Sequence, residues 1–208
     1  MRKTILTAII IAMTTVTFAQ INFGLRAGAN LADYSNIENS DKKVDFYFGA
    51  LLSIKTGSLY TLQPEFTYSR QGTKLVGNYE LFASNKISVN YFSLAVANKF
   101  NVANKVHFLI GPYFDIVMDK NINYATQDNN GYNYYDNIPP VDLGVVFGFG
   151  FDATKNLTVE ARYKQGFIGV VDRINNSENN GSYYGDDRHT NKVIQLGITY
   201  KFDLLKSK

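Results

Sequence analysis

The chain is written in a two-residue rhythm. LTVEARYK puts Leu157, Val159, Ala161 and Tyr163 on one side and Thr158, Glu160, Arg162 and Lys164 on the other. VDLGVVFGFGFD sets Val141, Leu143, Val145, Phe147, Phe149 and Phe151 against Asp142, Gly144, Val146, Gly148, Gly150 and Asp152. INFGLRAGANL opposes Ile21, Phe23 and Leu25 to Asn22, Gly24 and Arg26. VIQLGITYKF opposes Ile194, Leu196, Ile198, Tyr200 and Phe202 to Gln195, Gly197, Thr199 and Lys201. A period of two marks a strand whose faces meet unlike surroundings. Eight such segments are predicted, at about residues 20–32, 44–55, 59–72, 86–100, 105–118, 140–153, 157–170 and 190–202.

The connections alternate in length. Thr56–Ser58, Asn101–Asn104 and Thr154–Asn156 are tight turns of Gly, Asn and Lys type, whereas 33–43, 73–85, 119–139 and 171–189 are long. Short turns at one end and long loops at the other is the layout of an outer-membrane barrel, with turns in the periplasm and loops outside. The expected fold is therefore all-β, an eight-stranded antiparallel up-and-down transmembrane barrel with both termini at the short-turn end.

A water-soluble barrel alternates too, with its apolar face inside. Three features invert that assignment. The polar faces are rich in Gly, which suits a narrow lumen. They carry both charge signs at mid-strand, as with Arg26, Glu65, Glu160 and Arg162. The apolar faces hold Phe and Tyr near strand ends, as an aromatic girdle requires. Two features resist it: the girdle has no Trp, and Pro64 and Pro112 fall inside predicted strands. Each proline removes a ladder hydrogen bond, so bulges are expected there.

The first 19 residues alter the charge and place the chain. Arg2 and Lys3 precede an apolar run from Ile5 to Met13 and small residues at Thr17 and Ala19. This is the pattern of a secretory signal peptide, too short to anchor a membrane. Cleavage after Ala19 leaves 208 − 19 = 189 residues and 19 basic against 18 acidic side chains, a net charge near +1. No nucleic-acid partner is implied by that balance. There is no cysteine, so an exported chain of this size needs another device to hold it, and a closed sheet is one. The expected organisation is a signal peptide over 1–19, a barrel over 20–202 and a short tail over 203–208.

LQPEFTYSRQG (Leu62–Gly72), YFSLAVANKF (Tyr91–Phe100) and FGLRAGANLA (Phe23–Ala32) resemble the PorT-like outer-membrane β-barrel family of Bacteroidota. The resemblance implies an eight-stranded barrel and, for the name-giving member, a part in type IX secretion. YFSLAVANKF departs from the Pro-containing version of relatives, with Ser93 and Ala95 in its place, which weakens transfer of that role. The final strand also resembles the assembly signal of outer-membrane barrels, carried here by Gln195, Gly197, Tyr200 and Phe202. That resemblance implies reading by the barrel-assembly machinery during insertion; any amphipathic closing strand would look similar.

Candidate chemistry is thin. Arg26, Glu65, Lys99, Asp115, Asp142, Glu160, Arg162 and Lys164 face the expected lumen, where mixed charges must pair. An internal salt-bridge network centred on Arg26, Glu65, Glu160 and Arg162 is the plain reading, and a proton or ion path the sharper one. His107 reads as an ordinary polar position beside a short turn. His189, close to Asp186 and Asp187, is what a lipid A-modifying enzyme could use, but no motif places a nucleophile. Asn176, Glu178, Asn180 and Asp187, with Gly181, only loosely match a calcium loop, lacking its first Asp and last Glu.

Two loops are crowded with Tyr, Asn and Gly, a mix suited to contact surfaces, and their Tyr132, Tyr134, Tyr135, Tyr183 and Tyr184 are the candidate contacts. A solvated loop with no partner would look the same. The expectation is a non-enzymatic outer-membrane barrel with no cofactor, metal or catalytic residue. Its partners would be outer-membrane lipid, the assembly machinery and a protein or glycan at the loops. An accessory role in type IX secretion is the alternative, and lipid A modification a remote one.

Overall fold

A computed structural model describes residues 20–35, 40–75, 86–122, 138–169 and 190–202. They form eight strands: β1 (Gln20–Tyr34), β2 (Ser40–Lys55), β3 (Tyr60–Leu75), β4 (Lys86–Ala103), β5 (Val106–Ile122), β6 (Val141–Asp152), β7 (Leu157–Gly169) and β8 (Thr190–Phe202). Each pairs antiparallel with its sequence neighbours, and β1 pairs with β8 from Phe23–Phe202 to Tyr34–Asn191, closing the barrel.

The face pattern is that of a barrel turned inside out. Phe48, Phe149 and Leu196 are 53%, 65% and 58% exposed on the outside, whereas Arg26, Glu65, Glu160 and Arg162 are buried within. Around the short-turn end, Tyr60, Phe100, Phe108 and Phe149 form a chain of ring contacts over β3 to β6, with centroids 5.4, 5.3 and 6.5 Å apart. Phe23 stacks on Phe202 at 5.9 Å across the closing seam. Phe and Tyr make this belt without Trp.

Two expectations need correction. The first long connection, 33–43, is mostly strand, because β1 runs to Tyr34 and β2 begins at Ser40. There the outward face turns polar at Lys42, Arg70, Asn90 and Asp119, so alternation fades while backbone pairing continues through Ser40–Leu75 and Ile87–Ile122. The second correction concerns the prolines, where no bulge forms. The β3–β4 ladder runs unbroken through Pro64–Val96, and β5–β6 through Pro112–Val145. Only the other flank skips pairs, between Leu51–Glu65 and Ile54–Leu62 and between Ala95–Tyr113 and Asn98–Ile110, without change of register. A proline lacks one N–H, and that N–H faces one neighbour only. Beside Pro112 the Asn98 amide donates to the Ile110 carbonyl at 3.1 Å.

Candidate functional site

Alternate residues of β4 read the interior in layers. Ile87, Val89 and Tyr91 come first from the loop end, then Ser93, then Ala95 and Ala97, then Lys99. Each level recruits partners from other strands. At the loop end Tyr34, Ile87, Val89, Tyr91 and Ile138 pack together with Val117 into an apolar cap.

Below the cap, Lys164 Nζ lies 2.8 Å from Asp115 Oδ2 and 4.0 Å from the Tyr113 ring centroid. Ser93 donates to Asp115, and the Tyr113 hydroxyl donates to Asp142 at 3.1 Å. A small apolar layer of Ala97, Leu109, Tyr113 and Val146 follows.

The lowest layer is the densest in charge. Arg162 Nη1 and Nη2 donate to Glu65 Oε2 and Oε1 at 2.8 and 2.9 Å, and Nη2 also donates to Glu160 Oε2 at 2.6 Å. Arg26 pairs with the same Glu65 and lies 4.9 Å from the Tyr47 ring centroid. Lys99 Nζ donates to Glu160 Oε1 at 3.0 Å. Isolated ions would be costly here, and each carboxylate is met by two or more cations. The structure thus brings Arg26, Glu65, Glu160, Arg162 and Lys99 into one network and puts Asp115 and Lys164 in another, with Asp142 beside it.

His107 is not an ordinary polar position. Its side chain is fully buried, with Nε2 3.3 Å from Glu160 and Nδ1 3.8 Å from Asp152. The alternation LIGPYF after it was too weak to show which way the strand start points. Below His107 the barrel opens at its short-turn end into a cavity of about 680 Å³, whose lining includes Lys55, Lys99, Lys105, Lys155, Lys201 and Asp152.

Other site residues were not anticipated. Tyr47 leans on a pair of glycines, Gly28 and Gly197, opposed across the β1–β8 seam. A Cβ on Gly197 would meet the Tyr47 hydroxyl, and one on Gly28 would lie 2.8 Å from Tyr47 Cε1. The signal for Tyr47 was its place between Phe46 and Phe48, which face outward. Gln195 is also a lumen residue, donating to Asn30 Oδ1 at 2.9 Å. Tyr200 and Phe202 face outward beside it, in an edge-on ring contact at 5.1 Å.

The loop tyrosines (Tyr132, Tyr134, Tyr135, Tyr183, Tyr184), the residues Asn176 to Asp187 and His189 lie outside the described residues, as do 1–19 and 203–208. Among the described residues no group of three or more His, Asp or Glu is gathered to hold a metal ion.

Comparison with known proteins agrees with this architecture. A family model for the outer membrane protein beta-barrel domain matches residues 18–172. No curated protein matches the chain. Among solved structures, neisserial surface protein A is similar at 15% identity and a TM-score of 0.48, over 88% of this chain and 99% of that one. Ail of Yersinia pestis, in complex with the heparin analogue sucrose octasulfate, gives 12% and 0.45 over 88% and 99%. OprG of Pseudomonas aeruginosa gives 10% and 0.44 over 88% and 97%.

Proposed function

The chain belongs to the outer membrane protein beta-barrel domain family and resides in the outer membrane, and on that premise we propose a non-enzymatic, non-conducting barrel that works through its two ends. One observation carries the reading. Arg162 on β7 grips Glu65 on β3, strands half a circuit apart in the closed order, and the apolar cap lies above them. The lumen is filled by side chains, as in other eight-stranded barrels. The network of Arg26, Glu65, Glu160 and Arg162 is then core, and no ion path is needed to explain it.

What remains for recognition are the extracellular loops, whose tyrosines would meet a ligand, a surface or a partner protein. The segments that carry the PorT-like resemblance lie in β1, β3 and β4, where they build the wall. They specify a barrel more than a task. Residues 1–19 serve as the export signal in this reading, with the mature chain starting at Gln20.

The test combines conductance with loop exchange. The intact protein in planar bilayers should show no conductance steps. Replacing 123–137 and 170–189 by short Asn-Gly turns should abolish binding of cells to a panel of glycans and host proteins. Steady conductance would overturn the first half, and unchanged binding the second. Stoichiometric recovery of secretion components from detergent extracts would assign the protein to type IX secretion instead. Changed lipid A mass spectra in a His189→Ala strain would point to an enzyme.

A further inference from the structure

The cavity at the short-turn end has no role in the reading above. Its walls come from β1 to β6, β8 and the turn after β6, so it is a vestibule enclosed by the barrel itself. Its roof is the charged network, so it is blind toward the lumen. Its charge is one-sided: five lysines face one carboxylate. Lys99 is already engaged by Glu160, and Lys201 Nζ lies 3.9 Å from Asp152. Lys105 has only the Phe151 ring, at 5.9 Å. Lys55 and Lys155 form no ion pair among the described residues. Among the described residues about three positive charges are therefore uncompensated around the mouth of an open cavity, and a cleft lined by one sign of charge focuses field lines. At the inner wall His107 Nδ1 is buried and has no hydrogen-bond partner among the described residues, with Asp152 Oδ2 3.8 Å away. Three ammonium groups with no anion among the described residues, around one cavity, point to a missing acceptor-rich ligand.

We infer that this vestibule binds a small soluble oxyanion of at least two negative charges, a polyphosphate or polycarboxylate, from the periplasmic side. About 680 Å³ admits a molecule of that class. Lys55, Lys105 and Lys155 supply point charges from flexible stems, which suits oxyanions of variable shape. An anionic phospholipid headgroup has the same chemistry. It fits less well, because its acyl chains would lie outside the aromatic belt of Tyr60, Phe100, Phe108 and Phe149, with the turns between them and the cavity. The inference rests on the membrane orientation assigned above and not on what the loops bind.

The experiment is calorimetric titration of the refolded barrel in zwitterionic detergent with inorganic tripolyphosphate and, separately, citrate. One saturable site is expected, weakening steeply with salt. Lys55→Gln with Lys155→Gln should weaken it about tenfold or more, since hydrogen bonds to charged groups are each worth about that factor. Lys42→Gln, at the opposite end, should change nothing. Both variants leave the lumen network intact, and heat-modifiable gel mobility on the same samples reports the barrel itself. A folded barrel without saturable binding, or with binding indifferent to the double substitution, overturns the inference. In nanodiscs, equal affinity with phosphatidylcholine and phosphatidylglycerol supports a soluble ligand. Loss of affinity with phosphatidylglycerol overturns that assignment in favour of the headgroup.

Discussion

Arg162 and Glu65 are joined by two near-parallel hydrogen bonds, at 2.8 and 2.9 Å, although 97 residues separate them in sequence. This fork-to-fork geometry is the strongest form of the pair. It ties β7 to β3 across the lumen, at the level where Arg26, Glu160 and Lys99 complete the network.

Removing two partners of this network together should cost less than the sum of removing each alone. Glu65→Gln leaves Arg26 and Arg162 short of a buried anion, and a loss of about 3–5 kcal/mol is expected. Arg162→Met alone should be similarly harmful. The double variant Glu65→Gln, Arg162→Met should fall short of the sum by about 1 kcal/mol or more, as for residues in direct contact. Urea unfolding in detergent, followed by tyrosine fluorescence and gel mobility, measures all three. Strict additivity would mean that the pair is not coupled.

Two glycines on β6 should respond differently to the same added methyl. A Cβ on Gly150 would meet the end of the His107 ring, whereas one on Gly148 would meet the Ala161 carbonyl oxygen of the neighbouring backbone. Gly150→Ala should therefore be destabilising alone and largely relieved by adding His107→Ala. Gly148→Ala should be destabilising with or without that change. The same unfolding assay decides it.

The closing strand carries a proposed address for the assembly machinery, and its residues are not equally diagnostic. Gln195 and Gly197 have lumen roles beside Asn30 and Tyr47, so substitutions there would impair the barrel whatever the machinery reads. Tyr200 and Phe202 face outward and are the clean probes. Tyr200→Ala with Phe202→Ala should reduce insertion, and deletion of 203–208 should leave it intact. Heat-modifiable protein in outer-membrane fractions is the measurement. The reverse pattern would show that the tail is read instead.

The barrel was legible because each transmembrane segment repeats one physical contrast, apolar outside and polar inside, at a period a reader can count. Leu157 to Lys164 shows it in eight letters. Strand ends at the loop side were less legible, since Lys42 and Asn90 are polar on faces that no longer meet lipid. Pro64 and Pro112 misled because a sequence does not show which neighbour a missing N–H would have faced. In the lumen, charge signs announced that Arg26, Glu65, Glu160 and Arg162 must pair. Who meets whom depends on the stagger of strands around the barrel. The burial of His107 follows from that stagger, as does the seat of Tyr47 against Gly28 and Gly197, whereas the inward turn of Tyr47 is encoded locally by its outward neighbours Phe46 and Phe48.

The polar outer faces of β2 to β5 have a geometric result. Beyond Tyr68, β3 continues to Leu75, and at about 3.3 Å per residue that is roughly 20 Å of additional strand. β6, β7 and β8 end close to their last outward apolar residues, Val141, Phe167 and Ile194. Among the described residues the barrel wall is therefore cut on a slant, taller along β2 to β5 than along β6 to β8. The chain thus leaves the wall high after β5 and rejoins it low at β6, whereas between β7 and β8 it leaves and rejoins it low.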